Sequence, residues 1–359
     1  MQLKIVPAND VFGALQLMLE VHESSSAGFI SGPEINGVKP VVEGLPGEVD
    51  ENTALIVESS GSTGTPKRIE LSRAALLASA DASAKRLGGH GQWLLALPVN
   101  FIAGANVLFR SVVADTQPIL MNTLLPFTVE AFVRGASLME GERRYTSLVP
   151  NQLAKLAQAA EQDAFVFSML RKFDAILVGG QSPNLSDVLA LRSKGINVVL
   201  SYGMSETAGG CVYDGVPLEG VGIELVDSRI QVSGKVLANG LGESFLTNDL
   251  GQLQNGVLEV LGRADRVIIS GGLKLSLDHF EARALELAGV DEVIAVSLAS
   301  ELGESVGVVY SGEPEVSFSP LAQSISLAAK PKQVMRVERI PRLPSGKPDL
   351  VAARALLEG

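Results

Sequence analysis

The sequence predicts an α/β protein with a large N-terminal domain of helix-covered β-sheets and a small C-terminal α/β domain. Its 359 residues exceed the size of one average domain. Of these residues, 46% are hydrophobic and 19% are charged, which is typical of a globular chain and excludes a disordered or collagen-like one. From about residue 52, short apolar runs alternate with longer amphipathic stretches, which is the pattern of parallel strands covered by helices.

Alternating strands and helices are expected between residue 52 and about residue 215. Apolar runs predict strands at residues 54–58, 93–97, 118–121, 145–149, 175–178 and 197–201. Amphipathic stretches predict helices at 72–87, 152–162 and 185–194, with Ser72 as the N-cap of the first. Parallel sheets bind ligands beyond the carboxyl ends of their strands, so the polar segments after these runs are candidate sites.

A smaller α/β unit is expected from about residue 264. After residue 215, Asn239-Gly240 and Asn255-Gly256 mark turns between shorter strands. The predicted order is then strand 267–270, helix 277–287, strands 293–298 and 306–311, helix 321–329, strand 334–338, a Pro/Gly-rich loop at 341–348 and a short helix. We therefore expect one domain over residues 1–263 and a second over residues 264–359.

Charge and composition disfavour several kinds of partner and site. With 29 Lys and Arg against 40 Asp and Glu, the net charge is −11, so a nucleic-acid partner is not expected. The single cysteine, Cys211, excludes an internal disulfide, and His22, His90 and His279 lack metal-ligand spacing. The sequence has no apolar run of membrane-helix length and no signal-peptide pattern, so we expect a cytoplasmic protein without a membrane span.

Residues 58–67 (ESSGSTGTPK) follow a predicted strand and are a candidate phosphate-binding loop. Glycines let backbone N–H groups turn toward an anion, hydroxyls add donors, and Lys67 adds positive charge. The segment is not a Walker A loop, because Pro66 precedes the lysine and the spacing from Gly61 differs. An ordinary Ser/Gly linker is the alternative, which the preceding strand and the following helix disfavour.

Residues 201–210 (SYGMSETAGG) follow another predicted strand and are a candidate nucleotide site. Tyr202 offers a ring on which a base can stack, Ser205 and Thr207 offer hydroxyls to phosphate, and Glu206 offers a hard oxygen ligand to Mg²⁺. As an alternative, Gly-x-Ser-x-Thr nearly matches the elbow of a serine hydrolase. However, the fifth position is Thr207, and only His279 follows Ser205 in the chain as a base.

Shorter polar segments occur at residues 247–251 (TNDLG), 262–266 (GRADR), 270–274 (SGGLK) and 341–349 (PRLPSGKPD). Asp249 is expected to end a strand, where its carboxylate can accept hydrogen bonds from a ribose diol. Lys347 lies in a rigid Pro/Gly loop. Taken singly, each segment can also be interpreted without a functional role. Asp249 would then lie in a common turn, and Lys347 would be a solvated surface cation.

The motifs SSGSTGTPK, YGMSE, TNDLG, GRAD and PRLPSGK, in this order across residues 59–349, resemble those of the adenylate-forming acyl-CoA synthetase superfamily. The resemblance covers nearly the whole chain. It implies a reaction in which a carboxylate attacks the α-phosphorus of MgATP and releases pyrophosphate, after which the CoA thiol displaces AMP. Superfamily members carry a longer region before the phosphate loop, so the N-terminal part is expected to be trimmed here.

The resemblance also implies roles for individual residues. The ATP-binding residues it implies are Ser60, Gly61, Ser62, Thr63, Gly64, Lys67, Gly179, Gly180, Gln181, Tyr202, Gly203, Asp249 and Arg263. Ser205 would contact the α-phosphate, Glu206 would hold Mg²⁺, and Lys347 would bridge the attacking carboxylate and a ribose-side oxygen during adenylation. The resemblance further implies that the small C-terminal α/β domain is mobile and rotates between the two half-reactions, with Asp265 at the hinge position. Gly272 and Lys274 would then serve the CoA thioester step. The implied cofactors and substrates are ATP, Mg²⁺, CoA and a small carboxylic acid.

Within the superfamily, the compact size and the strings around Arg110 and Cys211 are most similar to the o-succinylbenzoate–CoA ligases of menaquinone biosynthesis. An aromatic dicarboxylate needs a cation for its second carboxylate, and Arg110 is the candidate, with a solvated helix face as its alternative. Asn100, another candidate substrate residue, stands where many relatives place a histidine, so histidine gating is in doubt. Another carboxylic acid, a carrier protein in place of CoA, and a homodimer all remain open.

Overall fold

The computed structural model describes residues 1–34, 42, 44–59, 67–270, 272–300, 303–343 and 347–359. The chain divides into two compact units. Unit 1 comprises Met1–Ile223 and Val232–Phe245, and unit 2 comprises Glu224–Gln231 and Leu246–Gly359. The boundary expected between residues 263 and 264 stays a prediction.

Unit 1 contains two β-sheets. Its strands are β1 (Leu3–Pro7), β2 (Ala27–Ser31), β3 (Leu55–Ser59), β4 (Lys67–Leu71), β5 (Gln92–Leu95), β6 (Ile119–Leu120), β7 (Arg144–Leu148), β8 (Ala175–Gly179), β9 (Val198–Met204), β10 (Gly209–Tyr213) and β11 (Val216–Pro217). The first sheet has the order β1-β2-β3-β4, and the second the order β11-β10-β9-β8-β7-β5-β6. In the second sheet β5 to β9 run parallel, as predicted, and β10 returns antiparallel to β9.

Helices cover these sheets and complete their cores. They are α1 (Val11–His22), α2 (Arg73–Leu87), α3 (Ile102–Val113), α4 (Val129–Ser137), α5 (Pro150–Gln162), α6 (Ala164–Leu170) and α7 (Leu185–Ser193). Ser72 caps α2 as predicted, because its side chain accepts a hydrogen bond from the Ala75 backbone N–H. The apolar strands are buried beneath the helices, as Leu94 and Ile176 illustrate, and this burial is the main stabilising contribution to the unit.

Four strands follow: β12 (Val221–Val226), β13 (Arg229–Gly234), β14 (Ser244–Gln254) and β15 (Val257–Arg263). The predicted turn at Asn255-Gly256 joins β14 to β15 as a two-residue hairpin, and both residues have positive φ, +53° and +79°. Asp249 does not end a strand as predicted. It lies within β14, because the chain continues through an irregularity between Leu250 and Gly251.

The rest of unit 2 is a second α/β assembly. Its elements are β16 (Val267–Ser270), β17 (Leu273–Ser276), α8 (Leu277–Ala284), β18 (Val290–Ser300), β19 (Gly303–Gly312), α9 (Ser319–Ser324), β20 (Gln333–Arg336) and α10 (Leu350–Glu358). The single helix predicted at 321–329 is wrong. A 3₁₀ turn at Leu327–Ala329 follows α9 after Ser326, whose extended backbone (φ −172°) breaks the helical path.

Unit 2 has its own apolar core on both sides of the β18–β19 pair. Phe280, Val308 and Phe318 pack in one cluster, and Ile294 and Leu357 in another. Among the helices in the described ranges, none combines the length and apolar character needed to cross a bilayer.

Candidate active site

Several polar residues of unit 1 lie near the carboxyl ends of the parallel strands of the second sheet. Gly179 is the last residue of β8 and pairs with Ser201 of β9, so residues 179–181 and Tyr202 lie at the same edge. Asn100 lies between β5, which belongs to the same parallel set, and α3, two residues before that helix begins. The candidate adenine residues Gly179, Gly180, Gln181 and Tyr202 are therefore brought to one edge, as expected for a ligand site in an α/β sheet.

Ser205 and Glu206 lie on a tight 3₁₀ turn, Ser205–Thr207, that joins β9 to β10. Met204 pairs with Gly209 across this hairpin. A Cβ atom on Gly203 would lie 2.1 Å from the carbonyl oxygen of Gly209, so only glycine permits this close approach. Ser205 is buried, and Glu206 is partly exposed. The hairpin thus presents two candidate catalytic side chains on a backbone with little freedom.

Thr207 does not offer its hydroxyl to a ligand, contrary to the expectation from sequence. Its side chain is fully buried, and its Oγ1 accepts a hydrogen bond from the Met204 backbone N–H at 3.0 Å. The same hydroxyl lies 2.7 Å from the Gly209 carbonyl oxygen, to which it can donate. Thr207 therefore closes the turn from inside, because its backbone partners use the hydroxyl that the motif suggested for phosphate.

The turn is tied to the strand that follows the predicted phosphate loop. The Ala238 backbone N–H donates to the Glu206 carbonyl at 2.9 Å, and the next N–H, that of Asn239, donates to the Glu70 carbonyl at 2.8 Å. Glu70 lies on β4, whose first residue, Lys67, pairs with Ser59 of β3. Lys67 is three residues from Glu70 along β4, a distance of about 10 Å in a strand. Lys67 and the Ser205–Thr207 turn therefore lie in the same region of unit 1. The sequence marks a turn at Asn239-Gly240, but no local pattern predicts the hydrogen bonds that link it to Glu206 and Glu70.

The other predicted members of the phosphate loop lie outside the described residues. They are Ser60, Gly61, Ser62, Thr63 and Gly64.

Arg110 is not on a solvated helix face, which was the alternative to a substrate role. It is 6% exposed, and its guanidinium lies 5.0 Å from the centroid of the Trp93 ring. One terminal nitrogen donates to Ser83 Oγ at 3.0 Å and to the Tyr213 hydroxyl at 3.3 Å. Its buried Nε has no hydrogen-bond partner among the described residues. Arg110 is thus an enclosed cation with neutral partners, and a direct contact with substrate stays a prediction.

In unit 2, Asp249, Arg263 and Asp265 form one charged group. Asp249 and Arg263 are paired across β14 and β15, and Arg263 lies 3.7 Å from the Asp249 carboxylate. Two nitrogens of Arg263 donate to the two Asp265 oxygens at 2.8 and 2.6 Å. This hydrogen bonding lowers the pKa of Asp265 and raises the pKa of Arg263. The candidate ribose residues and the candidate hinge residue are therefore neighbours.

Gly272, Lys274 and Lys347 lie on other parts of unit 2. Lys274 is an exposed residue of β17, opposite Ile269 of β16, and Gly272 directly precedes that strand. Lys347 is exposed, and its backbone carbonyl accepts a hydrogen bond from the Leu343 N–H at 2.8 Å. Beside it, Arg342 and Pro348 form an antiparallel bridge. The C-terminal loop is therefore anchored at its base on both sides of Lys347.

A metal would need oxygen ligands beyond the protein at this site. Within the described ranges, no group of three or more His, Cys, Asp or Glu side chains could hold a metal ion. Glu206 is a single, partly exposed carboxylate. Mg²⁺ characteristically takes one or two carboxylates and completes its shell with water and substrate phosphates, so Glu206 fits an ion that arrives with a triphosphate.

The family model described as "AMP-binding enzyme" matches residues 15–239, more than half of the chain. The chain belongs to the AMP-binding enzyme family. The matched range contains the phosphate-loop segment, the edge residues 179–181 and the Ser205–Glu206 turn.

Individual relatives and solved structures are also similar to this chain. The chain is 40% identical over 328 residues to a probable 2-succinylbenzoate–CoA ligase of Mycobacterium tuberculosis, and the match covers 85% of each chain. Its fold is similar to that of o-succinylbenzoate coenzyme A synthetase (MenE) from Bacillus subtilis in complex with ATP and magnesium ion. The TM-score is 0.75 at 22% identity, over 99% of this chain and 89% of that one. The fold is also similar to that of a mutant of the amide bond synthetase McbA from Marinactinospora thermotolerans, with a TM-score of 0.79 at 18% identity over 99% of this chain and 89% of that one.

Proposed function

We propose that this chain is an AMP-forming acid–CoA ligase that adenylates o-succinylbenzoate with ATP and transfers the acyl group to CoA, releasing pyrophosphate and AMP. The observation that carries the proposal is the 40% identity to a probable 2-succinylbenzoate–CoA ligase over 85% of both chains. The fold alone does not choose the acyl acceptor, because MenE and the amide bond synthetase McbA share it with this chain.

The first half-reaction brings an anionic acid against a polyanionic triphosphate, so positive charge and fixed donors must offset their repulsion. Lys67, at the start of β4, would bind the terminal phosphates together with the loop before it. Ser205 would donate to the α-phosphate from its buried turn, and Lys347 would hold the attacking carboxylate. Asp249 and Arg263 would bind the ribose, and Gly179 to Gln181 with Tyr202 would line the base.

Glu206 would hold Mg²⁺ through its carboxylate. When bound, that ion neutralises part of the triphosphate charge. The chain's own contribution is to fix the Glu206 backbone, through the hydrogen bond from Ala238 to its carbonyl. A carboxylate on a fixed turn loses little conformational freedom when it binds, and this preorganisation favours the complex.

The C-terminal part would serve both halves of the reaction. We propose that residues 264–359 move about Asp265 after adenylation, and that Gly272 and Lys274 then contact the CoA chain. The mobility required at a hinge is carried by a few residues that absorb a large backbone change. The short 3₁₀ turn at Ala264–Arg266 is a suitable place for such a change.

Pyrophosphate release across a panel of carboxylic acids, with and without CoA, tests the proposed function. We expect o-succinylbenzoate to give the highest kcat/KM, and acyl-CoA to form only when CoA is present. Glu206→Gln should lower kcat by about 10²-fold, whereas Glu219→Gln, which changes an exposed acid paired with Lys85, should not. Faster turnover with another acid, or transfer only to an amine or to a carrier protein, would contradict the assignment.

We place the reaction in the cytoplasm, where ATP and CoA are abundant, and propose a homodimer as the assembly to test. Sedimentation velocity of the full chain should then give a single species at twice the monomer mass. A concentration-independent monomer would contradict the dimer and leave the ligase assignment intact.

A further inference from the structure

The backbone directly after the Ser205–Thr207 turn has an uncommon conformation. Ala208 has φ +50° and ψ +34°, which is the left-handed helical region, and its side chain is fully buried. Residues with a Cβ atom disfavour this region, because Cβ crowds the neighbouring carbonyl oxygen. Such a conformation persists only where surrounding contacts hold it in place.

Two buried side chains from different helices hold the Ala208 carbonyl. Asn106 of α3 donates from Nδ2 to this oxygen at 2.9 Å, and Ser79 of α2 donates from Oγ at 3.0 Å. Asn106 is 4% exposed and Ser79 is 1% exposed. Both lone pairs of one carbonyl oxygen are thus used by donors more than 100 positions away in the chain.

Gly209, the residue after Ala208, leaves room for the hydrogen bond from Asn106. Next to Ala208, a Cβ atom at Gly209 would lie 2.3 Å from Asn106 Nδ2, so a side chain there would expel the amide. Thr207 closes the turn on itself through Met204 and Gly209. The turn is therefore rigid internally, and the two donors to Ala208 fix its orientation on the helices.

We propose that Asn106, together with Ser79, is a positioning residue that holds Ala208 in the left-handed region and thereby aims Ser205 and Glu206 at MgATP. This role rests on the proposed function, since it assigns MgATP as the ligand of the turn. Asn106 is buried and its side-chain amide donates to the Ala208 carbonyl, so the role assigned to it is positioning. It acts through the Ala208 carbonyl, which is two residues from the Glu206 carboxylate that it positions.

If Asn106 had only a structural role, it would supply a hydrogen bond to a buried carbonyl oxygen. Replacing Asn106 would then lower the free energy of unfolding without a specific effect on the Ser205–Thr207 turn. The backbone strain at Ala208 distinguishes the two roles. Glycine adopts the left-handed region without a Cβ penalty, so Ala208→Gly should make the turn much less dependent on its donors. The proposal therefore predicts coupling between positions 106 and 208.

The test is a double-mutant cycle of Asn106→Ala and Ala208→Gly, assayed by MgATP-dependent pyrophosphate release and by calorimetric titration of ATP with and without Mg²⁺. We expect Asn106→Ala to lower kcat for adenylation about tenfold and to weaken ATP binding more with Mg²⁺ than without it, because Glu206 would act through the ion whereas Ser205 would contact the phosphate itself. In the Ala208→Gly background, Asn106→Ala should lower kcat for adenylation by less than about threefold. Equal losses in both backgrounds, or an unchanged kcat in Asn106→Ala, would overturn the proposal.

Matched variants separate positioning from folding. Ser111→Ala removes another buried hydrogen bond of α3, the one to the Val107 carbonyl, and should leave kcat and Mg²⁺-dependent binding unchanged. Asn106→Asp keeps the shape but sets a carboxylate against the Ala208 carbonyl, so it should lose more activity than Asn106→Ala. If Asn106→Ala does not fold, Ser79→Ala replaces it in the cycle. A wild-type chain without ATP binding would refute the proposed function, whereas an active wild type with additive variants would refute only this inference.

Discussion

At the scale of single residues, Lys347 is the side chain whose charge the adenylation step should need most. It is exposed, on a loop whose base is fixed by the Arg342–Pro348 bridge. Its ammonium group would stabilise charge that develops only as the acid attacks the phosphate, and not during thioester formation. One group of this kind contributes roughly 3–4 kcal/mol to a transition state.

Lys347→Ala is therefore expected to lower the adenylation rate by about 10²- to 10³-fold, while thioester formation from preformed acyl-adenylate and CoA stays near wild type. Single-turnover assays of each half-reaction measure the two rates. Lys330→Ala, an exposed lysine of the same unit, serves as the control. Equal losses in the two half-reactions would refute this division of labour.

Arg110 poses a different question at this scale, because it is buried against Trp93 and hydrogen-bonded to two hydroxyls. Suppose that a terminal nitrogen, or Nε, which has no hydrogen-bond partner in the described part of the chain, binds the second carboxylate of the acid. Arg110→Lys should then raise the KM for o-succinylbenzoate at least about tenfold, because lysine cannot reproduce a planar fork of donors. The KM for ATP should stay unchanged. Steady-state kinetics with each substrate varied gives both constants. Arg86→Lys, on the exposed face of α2, is the control. An unchanged KM for the acid would remove Arg110 from the substrate site.

At the scale of secondary-structure elements, one arginine ties the 3₁₀ turn at Ala264–Arg266 to α8. Arg266 lies 2.5 Å from Asp278 and 2.5 Å from Glu281, both on that helix. Asp278 also accepts a hydrogen bond from the Arg263 backbone N–H at 2.6 Å, and Glu281 accepts one from the Ala295 N–H at 2.7 Å. Burial raises the pKa of Glu281 to about 7, although Arg266 beside it favours the carboxylate.

A raised pKa in the folded state means that folding favours protonated Glu281. Its contribution to stability is therefore complete below its ordinary pKa of 4.5 and is lost as the pH rises to about 7. We expect the free energy of unfolding to fall over this window by up to about 1.4 kcal/mol per pH unit from this group, and Glu281→Gln to remove that slope. Denaturant unfolding at a series of pH values measures it. Glu286→Gln, an exposed acid paired with Arg283, should leave the slope in place, and a slope equal to wild type in Glu281→Gln would contradict the assignment.

Local patterns predicted the elements better than they predicted the side chains of the site. The strand at Val267–Ser270 and the cap at Ser72 follow from nearby residues, so the sequence alone was sufficient. Thr207 was misjudged because its hydroxyl is used by backbone groups of a hairpin that only the folded register creates. The Asn106–Ala208 contact joins residues 102 positions apart, and no local pattern reports such a distance.

At the scale of the whole molecule, each unit has an apolar core of its own. The 3₁₀ turn at Ala264–Arg266 lies within unit 2 and has no buried residue, so a change there need not disturb that unit's core. Asp265→Pro should restrict the backbone of the 3₁₀ turn, because proline fixes φ near −65°. We expect this variant to release pyrophosphate and form acyl-adenylate but to lose CoA thioester turnover. Asp265→Ala, which removes the ion pair with Arg263 without fixing φ, should retain both steps. Normal thioester turnover in Asp265→Pro would refute the hinge assignment.

The enclosed thiol of Cys211 has a practical consequence for measuring these reactions. It is the chain's one cysteine, it is fully buried in β10, and burial raises its pKa to about 11. The thiolate is the form that attacks alkylating and disulfide-forming reagents, so the native protein should stay unlabelled while free CoA is titrated colorimetrically in the same cuvette. Because Cys211 should not react, cysteines could also be introduced at chosen sites in the two units and labelled with spin labels or fluorophores. The native cysteine would not have to be removed first.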